Sequence, residues 1–303
     1  MDSASLYFRA FYGVPDSITA ADGTPVNAVR GFTDTVTRIL TERRPSRLVA
    51  CLDADWRPQF RIDLLPSYKA HRVSDSQDNS EEVPDTLSPQ VPIILEVLEA
   101  IGIATAEASG YEADDVIGAL THREKHDPVE VITGDRDLFQ LVRNEPTPAS
   151  VVYVGRGWAK AEVLGPQEIA EKYSVPVENA GSAYADMSVL RGDPSDGLPG
   201  VAGIGEKTAA KLITQFGSLD ALLAAAKDDS SFLATKVRER LADAESYLQV
   251  APQVVRVAVD APVIMSGDDR VPSKPADPDR LAELAERWNL SNSVKRLLAA
   301  LPS

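Results

Sequence analysis

The amino-acid sequence predicts an α/β fold in which a mostly parallel sheet lies between layers of helices. Two observations predict this class. Short apolar and β-branched runs with polar ends are typical of buried strands, and the segments between them repeat apolar residues every three or four positions, as amphipathic helices do. The two patterns alternate along the first half of the chain, which is the order that parallel strands with helical crossovers require.

The elements of the first half follow from these patterns in chain order. The predicted strands cover residues 48–52, 103–106, 129–133 and 151–154. The predicted helices cover residues 28–42, 91–101 and 112–126. Residues 74–89 contain five acids, two prolines and no basic residue, so they are predicted to form a mobile surface excursion.

The second half has a helical character. Ala- and Leu-rich stretches after Pro199 predict a helical second lobe. Its predicted helices cover residues 206–216, 219–226 and 232–248. A returning strand is predicted at 254–259, a linker at 265–279 and a last pair of helices within 280–301.

Composition excludes several classes of protein. The 303 residues are 44% apolar, enough to fill the core of one large domain or two smaller ones. Cys51 is the one cysteine, so the chain can form no internal disulfide and no cysteine zinc site. A net charge of -15 argues against a non-specific nucleic-acid coat. Without a membrane span or signal peptide in the sequence, we expect a cytoplasmic protein that does not bind membranes.

Acidic residues are concentrated where the predicted elements begin or end. Nine of them stand at such positions: Asp2, Asp53, Glu112, Asp114, Asp115, Asp135, Asp137, Asp193 and Asp196. Because ligands of open α/β sheets bind at the carboxyl ends of the strands, three of these acids, Asp53, Asp135 and Asp137, are expected to face one crevice.

Each of these acids could equally be an ordinary helix cap or turn residue. If they do converge, however, bound cations are needed to keep them ionised. Oxygen ligands without histidine favour Mg²⁺ or Mn²⁺, and two such ions are most often used for phosphodiester cleavage. A nuclease is therefore the first hypothesis.

Two further segments point to phosphate binding. GVAGIGEKT at 200–208 is a glycine-rich turn that opens a helix, and it fits a helix-hairpin-helix grip on a DNA backbone, although a plain interhelical turn remains open. Residues 57–72 are rich in Arg and Lys and could steer phosphates, although a solvated loop explains them as well. The aromatic residues at 7–12 are either core or a stacking surface for a base.

Together, the motifs resemble those of the 5′-nuclease domain of bacterial DNA polymerase I and its flap endonuclease relatives. The matching segments, in order, are DSASLYFRAFYG at 2–13, FRIDLLPSYKAHR at 60–72, GYEADDVIG at 110–118, TGDRDLFQL at 133–141 and GDPSDGLPGVAGIGEKTA at 192–209. They span nearly the whole chain.

The resemblance implies a PIN-like central sheet with a helical arch and a helix-three-turn-helix lobe. The catalytic α/β domain would cover residues 1–186, with the arch at about 56–90, and the DNA-binding lobe with the C-terminal helices would cover 187–303. The chain would be the stand-alone form of the domain.

The resemblance also implies the cofactors and their ligands. Two divalent cations, or three, would be bound, either Mg²⁺ or Mn²⁺. The first region would be Asp2, Asp53, Glu112 and Asp114, the second Asp135, Asp137, Asp193 and Asp196, with Asp115 in support. K⁺ would be held by the backbone carbonyls of Leu190, Arg191, Pro199, Val201 and Ile204.

Catalytic and DNA-contacting roles are implied in the same way. Lys69 and Arg72 would contact the scissile phosphate beside the catalytic carboxylates Asp114 and Asp137. The other implied DNA contacts are Phe8, which would stack on the terminal base, and Arg9, Arg61, Gly203, Gly205, Lys207 and Thr208, with backbone amides from 203–208.

The implied activity is cleavage of 5′ flaps and trimming of 5′ ends of DNA, nicks included, leaving a 5′-phosphate. The enzyme would act in the bacterial cytoplasm near the nucleoid, as a monomer, with a polymerase and a ligase of repair as partners. A branched-DNA binding protein with weak catalysis and a PIN-like ribonuclease are the alternatives. Only Met1 precedes Asp2, so the family strand before the first aspartate is missing, and we expect Asp2 to be loosely held and the true start to lie upstream.

Overall fold

The computed structural model describes residues 1–73, 83–228 and 230–302. Its helices in the first half are α1 Ser3–Gly13, α2 Asn27–Arg38, α3 Gln59–Leu64, α4 Gln90–Ile101, α5 Ala113–Arg123 and α6 Pro166–Tyr173. Those of the second half are α7 Ala180–Arg191, α8 Glu206–Phe216, α9 Leu219–Lys227, α10 Thr235–Asp243, α11 Glu245–Val255, α12 Pro278–Arg287 and α13 Ser291–Ala300. The strands are β1 Val49–Cys51, β2 Ala104–Glu107, β3 Val129–Thr133, β4 Ala149–Tyr153, β5 Glu162–Leu164 and β6 Ile264–Met265.

The strands form two small mixed sheets, which agrees with the predicted α/β class. One has the order β1-β2-β6 and the other β3-β4-β5. In each sheet the first pair is parallel and the added edge strand is antiparallel. The edge strands β5 and β6 were not predicted, because they are only three and two residues long.

The first two residues of the chain join the two sheets. The amide of Cys51 donates to the carbonyl of Met1 at 2.9 Å, and the amide of Asp2 donates to the carbonyl of Ile132 at 3.0 Å. The Asp2 side chain is only 3% exposed and accepts hydrogen bonds from the Ser5 amide. The expectation of a loosely held Asp2 is therefore wrong, because two residues are enough to bridge the strand ends.

Helices cover both faces of the sheets. Val131 and Val151 face one hydrophobic cluster with α5 to α9 and α11, whereas their neighbours Ile132 and Val152 face another with α1, α2 and α4. This alternation is what a strand buried on both faces requires. The carboxyl ends of β1 and β3 stay uncovered, and the candidate site lies there.

The two C-terminal helices return to the first half of the chain. Helix α12 packs on α4, and α13 packs on α2. The sequence-based division at 186/187 therefore does not separate these helices from the catalytic half in space. None of the helices in the described ranges combines the length and apolar composition that crossing a bilayer requires.

Several predicted elements are corrected. Residues 232–248 are not one helix, because α10 ends at Asp243 and α11 begins at Glu245. The strand predicted at 254–259 is wrong, because α11 continues to Val255. The buried Val254 lies on the face of this helix that packs against the core. Of the excursion predicted at 74–89, residues 74–82 lie outside the described ranges, and Leu87 in the remainder is fully buried.

Candidate active site

Carboxylates gather at one edge of the joined sheets. Asp53 follows β1, Asp135 and Asp137 follow β3, and Asp2 caps the first turn of α1. Each position follows from the local fold, because parallel strands end at the same edge and a helix accepts an aspartate at its start.

The other predicted acids come from two helical turns. Glu112, Asp114 and Asp115 lie at the start of α5, and Asp193 and Asp196 lie in the turn after α7. Repulsion between neighbouring carboxylates connects all nine predicted acids into one cluster. The structure thus brings together every acid that the sequence singled out.

Burial and crowding raise the pKa of five members of this cluster, Asp2, Asp53, Asp114, Asp137 and Asp196. Burial raises the pKa of the Asp2 carboxyl to about 6, although the Thr133 hydroxyl donates a hydrogen bond to it at 2.6 Å. Burial, and next the charge of Asp135, raise the pKa of Asp114 and of Asp137 well above the ordinary value. Protons or bound cations relieve such repulsion.

The nine carboxylates differ in how many of their oxygens are already engaged. Asp53 accepts the amide of Ala113 at 2.7 Å, and Asp193 accepts the amide and hydroxyl of Ser195. Among the described residues, no hydrogen-bond donor or cation pairs with the carboxylates of Asp114 and Asp137. These two carboxylates therefore keep both of their oxygens available to a cation.

No three His, Cys, Asp or Glu side chains in the described ranges stand close enough to hold one metal ion directly. Glu112, moreover, is already engaged by neighbouring side chains. Its two oxygens are taken by Arg61, by the Tyr68 hydroxyl and by the Lys69 ammonium. The protein's own cations therefore neutralise part of the cluster.

Arg61 does not lie where a DNA contact was expected. It is 2% exposed, and its guanidinium binds both oxygens of Asp115 at 2.6 and 2.7 Å and Glu112 at 2.8 Å. Its Nε donates to the carbonyl of Val254 at 3.0 Å. The predicted phosphate contact is wrong, because every face of this side chain is enclosed by protein.

Asp115 is likewise an interior residue and not an accessible ligand. It is fully buried, and besides Arg61 it accepts the amides of Glu112 and Ala258. With both oxygens engaged in this way, its carboxylate orients Arg61 and the first turn of α5.

Lys69 lies above the acidic cluster in a strained backbone conformation, with φ of 48°. Although burial favours the neutral amine, the carboxylate of Glu112 raises the pKa of Lys69 well above its ordinary value. The ammonium also lies 5.2 Å from the centre of the Tyr68 ring. Lys69 is thus a fixed positive charge at the mouth of the site.

The segment that carries Lys69 and Arg72 is docked on the turn after α7. Arg72 donates to Asp196 at 2.6 Å and to the carbonyl of Ser195 at 2.8 Å. The hydroxyl of Ser67 donates to the carbonyl of Gly197 at 2.8 Å. A Cβ on Gly197 would overlap the Ser67 carbonyl oxygen, and φ of 72° there also favours glycine.

Beside Asp135 lies a recess of about 530 Å³. Its walls include Phe8, Arg9 and Tyr12 of α1, and Tyr12 is 74% exposed. The Arg9 guanidinium donates to the carbonyl of Gly155. The predicted aromatic and cationic DNA contacts thus open onto the acidic cluster.

The glycine-rich turn brings together backbone segments from both sides of residues 192–200. The carbonyl of Leu190 accepts the amide of Val201 at 2.9 Å, and the carbonyl of Val201 accepts that of Ile204 at 2.9 Å. A Cβ on Gly200 would lie 2.5 Å from the Arg191 carbonyl oxygen. The predicted carbonyls, Pro199 included, therefore belong to one tight loop.

The start of α8 presents free amides to solvent. Gly205, Glu206 and Lys207 are exposed, and their amides have no partner within the described residues. The Thr208 amide, in contrast, donates to the carbonyl of Gly205 at 3.0 Å. Thr208 can therefore contact DNA only through its side chain, which corrects the predicted amide contact.

Sequence reasoning missed the groups that hold the carboxylates. The Tyr68 hydroxyl donates to Glu112 at 2.7 Å, and Thr133 links Asp2 to the amide of Asp135 at 2.6 and 2.9 Å. Tyr68 beside Lys69 was a signal for this role. Nothing in the sequence distinguishes Thr133 from another strand residue.

Comparisons with known proteins identify the family. Residues 1–174 match the family model described as 5′-3′ exonuclease, N-terminal resolvase-like domain, and residues 180–279 match 5′-3′ exonuclease, C-terminal SAM fold. The chain is 56% identical over 306 residues to a 5′-3′ exonuclease of Mycobacterium tuberculosis, covering 99% of this chain and 96% of the relative. It is 53% identical over 304 residues to one of Streptomyces coelicolor, covering 99% of both chains.

Solved structures share the fold at low identity. The T5 D15 protein, co-crystallised with metal ions, aligns with a TM-score of 0.64 at 17% identity over 99% of this chain and 97% of its own. Human GEN1 in complex with Holliday junction DNA aligns with a TM-score of 0.62 at 17% identity over 99% of this chain and 70% of its own. Given the matches over the whole sequence, the chain belongs to the 5′-3′ exonuclease family and is a 5′ nuclease, a hydrolase of phosphodiester bonds.

Proposed function

We propose that this chain is a divalent-metal-dependent enzyme that cuts 5′ flaps and trims 5′ ends of DNA, leaving a 5′-phosphate. The main support for the proposal is the cluster of acids at the sheet edge. In this cluster Asp114 and Asp137 lie near other carboxylates and have a raised pKa, and their carboxylates have no partner among the described residues. Carboxylates in this state fit Mg²⁺ or Mn²⁺, which prefer hard oxygen ligands.

The chain's own residues suggest two positions for such cations. Asp2, Asp53, Glu112 and Asp114 would hold the first, directly or through water. Asp135, Asp137, Asp193 and Asp196 would hold the second, in part through water, since no three acids of the described residues are close enough to bind one ion directly. Divalent cations in such sites lower the pKa of water and stabilise the charge on the leaving oxygen.

Lys69 and Arg72 would supply fixed positive charge at the scissile phosphate. Both lie at the rim of the cluster, held by Glu112 and Asp196. A phosphate entering the site offers the same kind of partner as these carboxylates, so each cation can turn to it over a short distance. Charge that is already in place when the transition state forms contributes more than charge that must be gathered.

The rest of the DNA path would run on either side of this centre. Phe8 and Arg9 would contact the end of the strand that is cut, from the recess beside Asp135. The exposed amides at Gly205 and Lys207, with the Gly203 turn, would grip a duplex phosphate without reading sequence. In domain terms, residues 1–186 would be catalytic and those from 187 would bind DNA, with α12 and α13 packed back on the first half.

We also propose that K⁺ binds in the tight loop of α7 and α8. The carbonyls of Leu190, Arg191, Pro199, Val201 and Ile204 would hold it. Backbone carbonyls retain a second lone pair after one hydrogen bond, so the bonds already present at this loop do not prevent it. Duplex affinity measured in K⁺ and in tetramethylammonium at equal ionic strength tests this, and equal affinities would count against it.

The test of the function is cleavage of a labelled 5′-flap DNA in Mn²⁺ or Mg²⁺, with an EDTA control. A single-stranded oligonucleotide and an RNA flap of the same sequence serve as substrate controls. Cutting near the flap junction that EDTA abolishes would support the proposal. Tight flap binding without cutting would favour a branched-DNA binding protein, and cleavage restricted to RNA would favour a PIN-like ribonuclease.

Stability of the metal-free protein is expected to fall as pH rises. An Asp carboxyl ionises near pH 3.9 in an unfolded chain, but that of Asp2 does so at about 6 in the folded protein. The folded state therefore binds the proton more tightly, and the stability that this proton adds is lost between about pH 4 and pH 6 or slightly above. Asp114 and Asp137 extend the window upward.

Divalent cations should reverse this trend, because they bind the ionised carboxylates. Thermal unfolding with and without Mn²⁺ at pH 5.5 and pH 8 measures it: we expect the larger rise in Tm at pH 8. Asp114→Asn should flatten the pH dependence of the metal-free protein. A rise in Tm that is equal at both pH values would contradict the assignment of these acids to metal binding.

Replacing Gly197 by Ala is expected to lower the cleavage rate by about 10- to 100-fold, because a displaced catalytic group costs that much. The new Cβ would push against the Ser67 carbonyl and lift the segment that carries Lys69 and Arg72. Gly23→Ala is the matched control: its φ of 89° is equally unfavourable, but its Cβ would meet nothing within 4 Å. Equal losses in both variants would show that backbone strain alone is responsible.

A further inference from the structure

Arg240 of α10 packs against the glycine-rich turn, although it lies 37 positions after Gly203 in the chain. Its Nη1 donates to the carbonyl of Gly203 at 2.9 Å. A Cβ on Gly203 would lie 2.7 Å from Cζ and 2.8 Å from Nη2 of the guanidinium. The absence of a side chain at this glycine is what lets the planar group lie flat on the turn.

The contact uses only part of the guanidinium. A guanidinium has five N–H donors, and no other hydrogen bond or ion pair joins the side chain of Arg240 to the described residues. The side chain is half-buried, and its unpaired donors at Nε and Nη2 keep some exposure to solvent. An arginine held in this way loses little conformational entropy when it binds a ligand.

The glycine-rich turn that Arg240 contacts carries further donors that favour an anion. The amides of Glu206 and Lys207 point out of the first turn of α8 with no described partner, and the exposed Lys207 ammonium also has none. The carboxylate of Glu206 pairs with Arg191 at 3.1 Å, which offsets its charge. Amides, a fixed guanidinium and an ammonium together can bind one phosphate through several donors.

We propose that Arg240 is a DNA-positioning residue that binds a backbone phosphate of the duplex held by the glycine-rich turn. The inference rests on the proposed function, because it needs the turn to face DNA. It adds a side chain from a separate helix to a contact otherwise made by backbone amides. The position of α10 on the turn therefore affects where the duplex is held. Because the contact is to phosphate, it is independent of sequence.

The test compares affinity for two flap substrates in Ca²⁺, a cation chosen to permit binding while cleavage is followed separately in Mg²⁺. One has a duplex long enough to reach from the acidic cluster to the turn, and the other has that duplex shortened so that it cannot. Arg240→Ala should weaken binding of the long substrate by about tenfold at low salt and lower the salt slope by about one. It should leave the short substrate unchanged, along with the single-turnover rate at saturation.

Two further variants separate charge from structure. Arg240→Lys keeps the charge and should recover part of the affinity that Arg240→Ala loses. Arg240→Gln keeps a donor for the Gly203 carbonyl but no charge, and it should recover none of that affinity. Lys295→Ala removes an equal exposed charge from α13, which packs on α2, and should bind both substrates as the unmodified chain does.

The outcomes distinguish the inference from the function on which it rests. If the unmodified chain binds both substrates equally, the turn does not grip DNA and that part of the proposed function fails. If the unmodified chain prefers the long substrate and Arg240→Ala retains that preference in full, only the role of Arg240 is overturned. Equal weakening of both substrates by Arg240→Ala would show a general structural defect and also overturn it.

Discussion

Asp137→Asn is expected to lower the single-turnover rate of flap cleavage by about 10²–10³-fold while flap affinity changes little. Asp137 contributes a carboxylate that is crowded by Asp135 and has no described partner, so its negative charge is available to a cation. An amide at this position keeps the size of the side chain but removes the charge. Affinity for DNA should persist, because the surfaces proposed to contact the duplex lie elsewhere.

The same substitution should stabilise the metal-free protein at pH 8. Burial and the charge of Asp135 raise the pKa of Asp137 well above its ordinary value, so the ionised carboxylate raises the energy of the folded state. Asn has no charge and removes this penalty. Loss of activity together with a higher Tm would be hard to explain by misfolding. Asp260→Asn, at an exposed position without an ion pair, is the control for charge. Full activity in Asp137→Asn would remove this residue from the proposed metal site.

The acids of the site could be predicted from sequence because their position depends on short-range rules. Asp53 and Asp135 follow apolar strands, and parallel strands end at one edge whatever lies between them. The position of Asp114 could be predicted in the same way, because it lies in the first turn of a helix. Such rules need only neighbouring residues, and all nine predicted acids indeed lie in one cluster.

What could not be predicted depends on contacts between distant parts of the chain. Arg61 and Lys69 are both basic residues of one stretch, yet one is enclosed and the other lies at the mouth of the site. The difference arises from Val254, 193 positions from Arg61, and from Ala258, 143 positions from Asp115, which close over these two side chains. The sequence shows the type of a residue but not which segment returns to cover it.

Arg61→Met is expected to cost about 3–5 kcal/mol of folding free energy. Methionine fills a similar volume, but it leaves Asp115 and Glu112 buried at 0% and 5% exposure without their main cation. Uncompensated buried charge is among the most destabilising of single changes. Arg57→Met is the matched control, because that guanidinium is only half-buried and bonds two backbone carbonyls, so we expect a smaller loss.

Chemical denaturation in urea measures the cost, and a second variant tests its cause. If the loss comes from unpaired charge, combining Arg61→Met with Asp115→Asn should recover a part of the stability, since the pair is then removed together. The salt dependence of DNA binding decides between the interior role and the phosphate contact that the sequence suggested. An enclosed Arg61 predicts that the folded fraction of Arg61→Met keeps the salt slope of the unmodified chain, whereas a phosphate contact predicts a slope lower by about one. Unchanged stability with a lower slope would mean that the side chain leaves the interior to bind DNA.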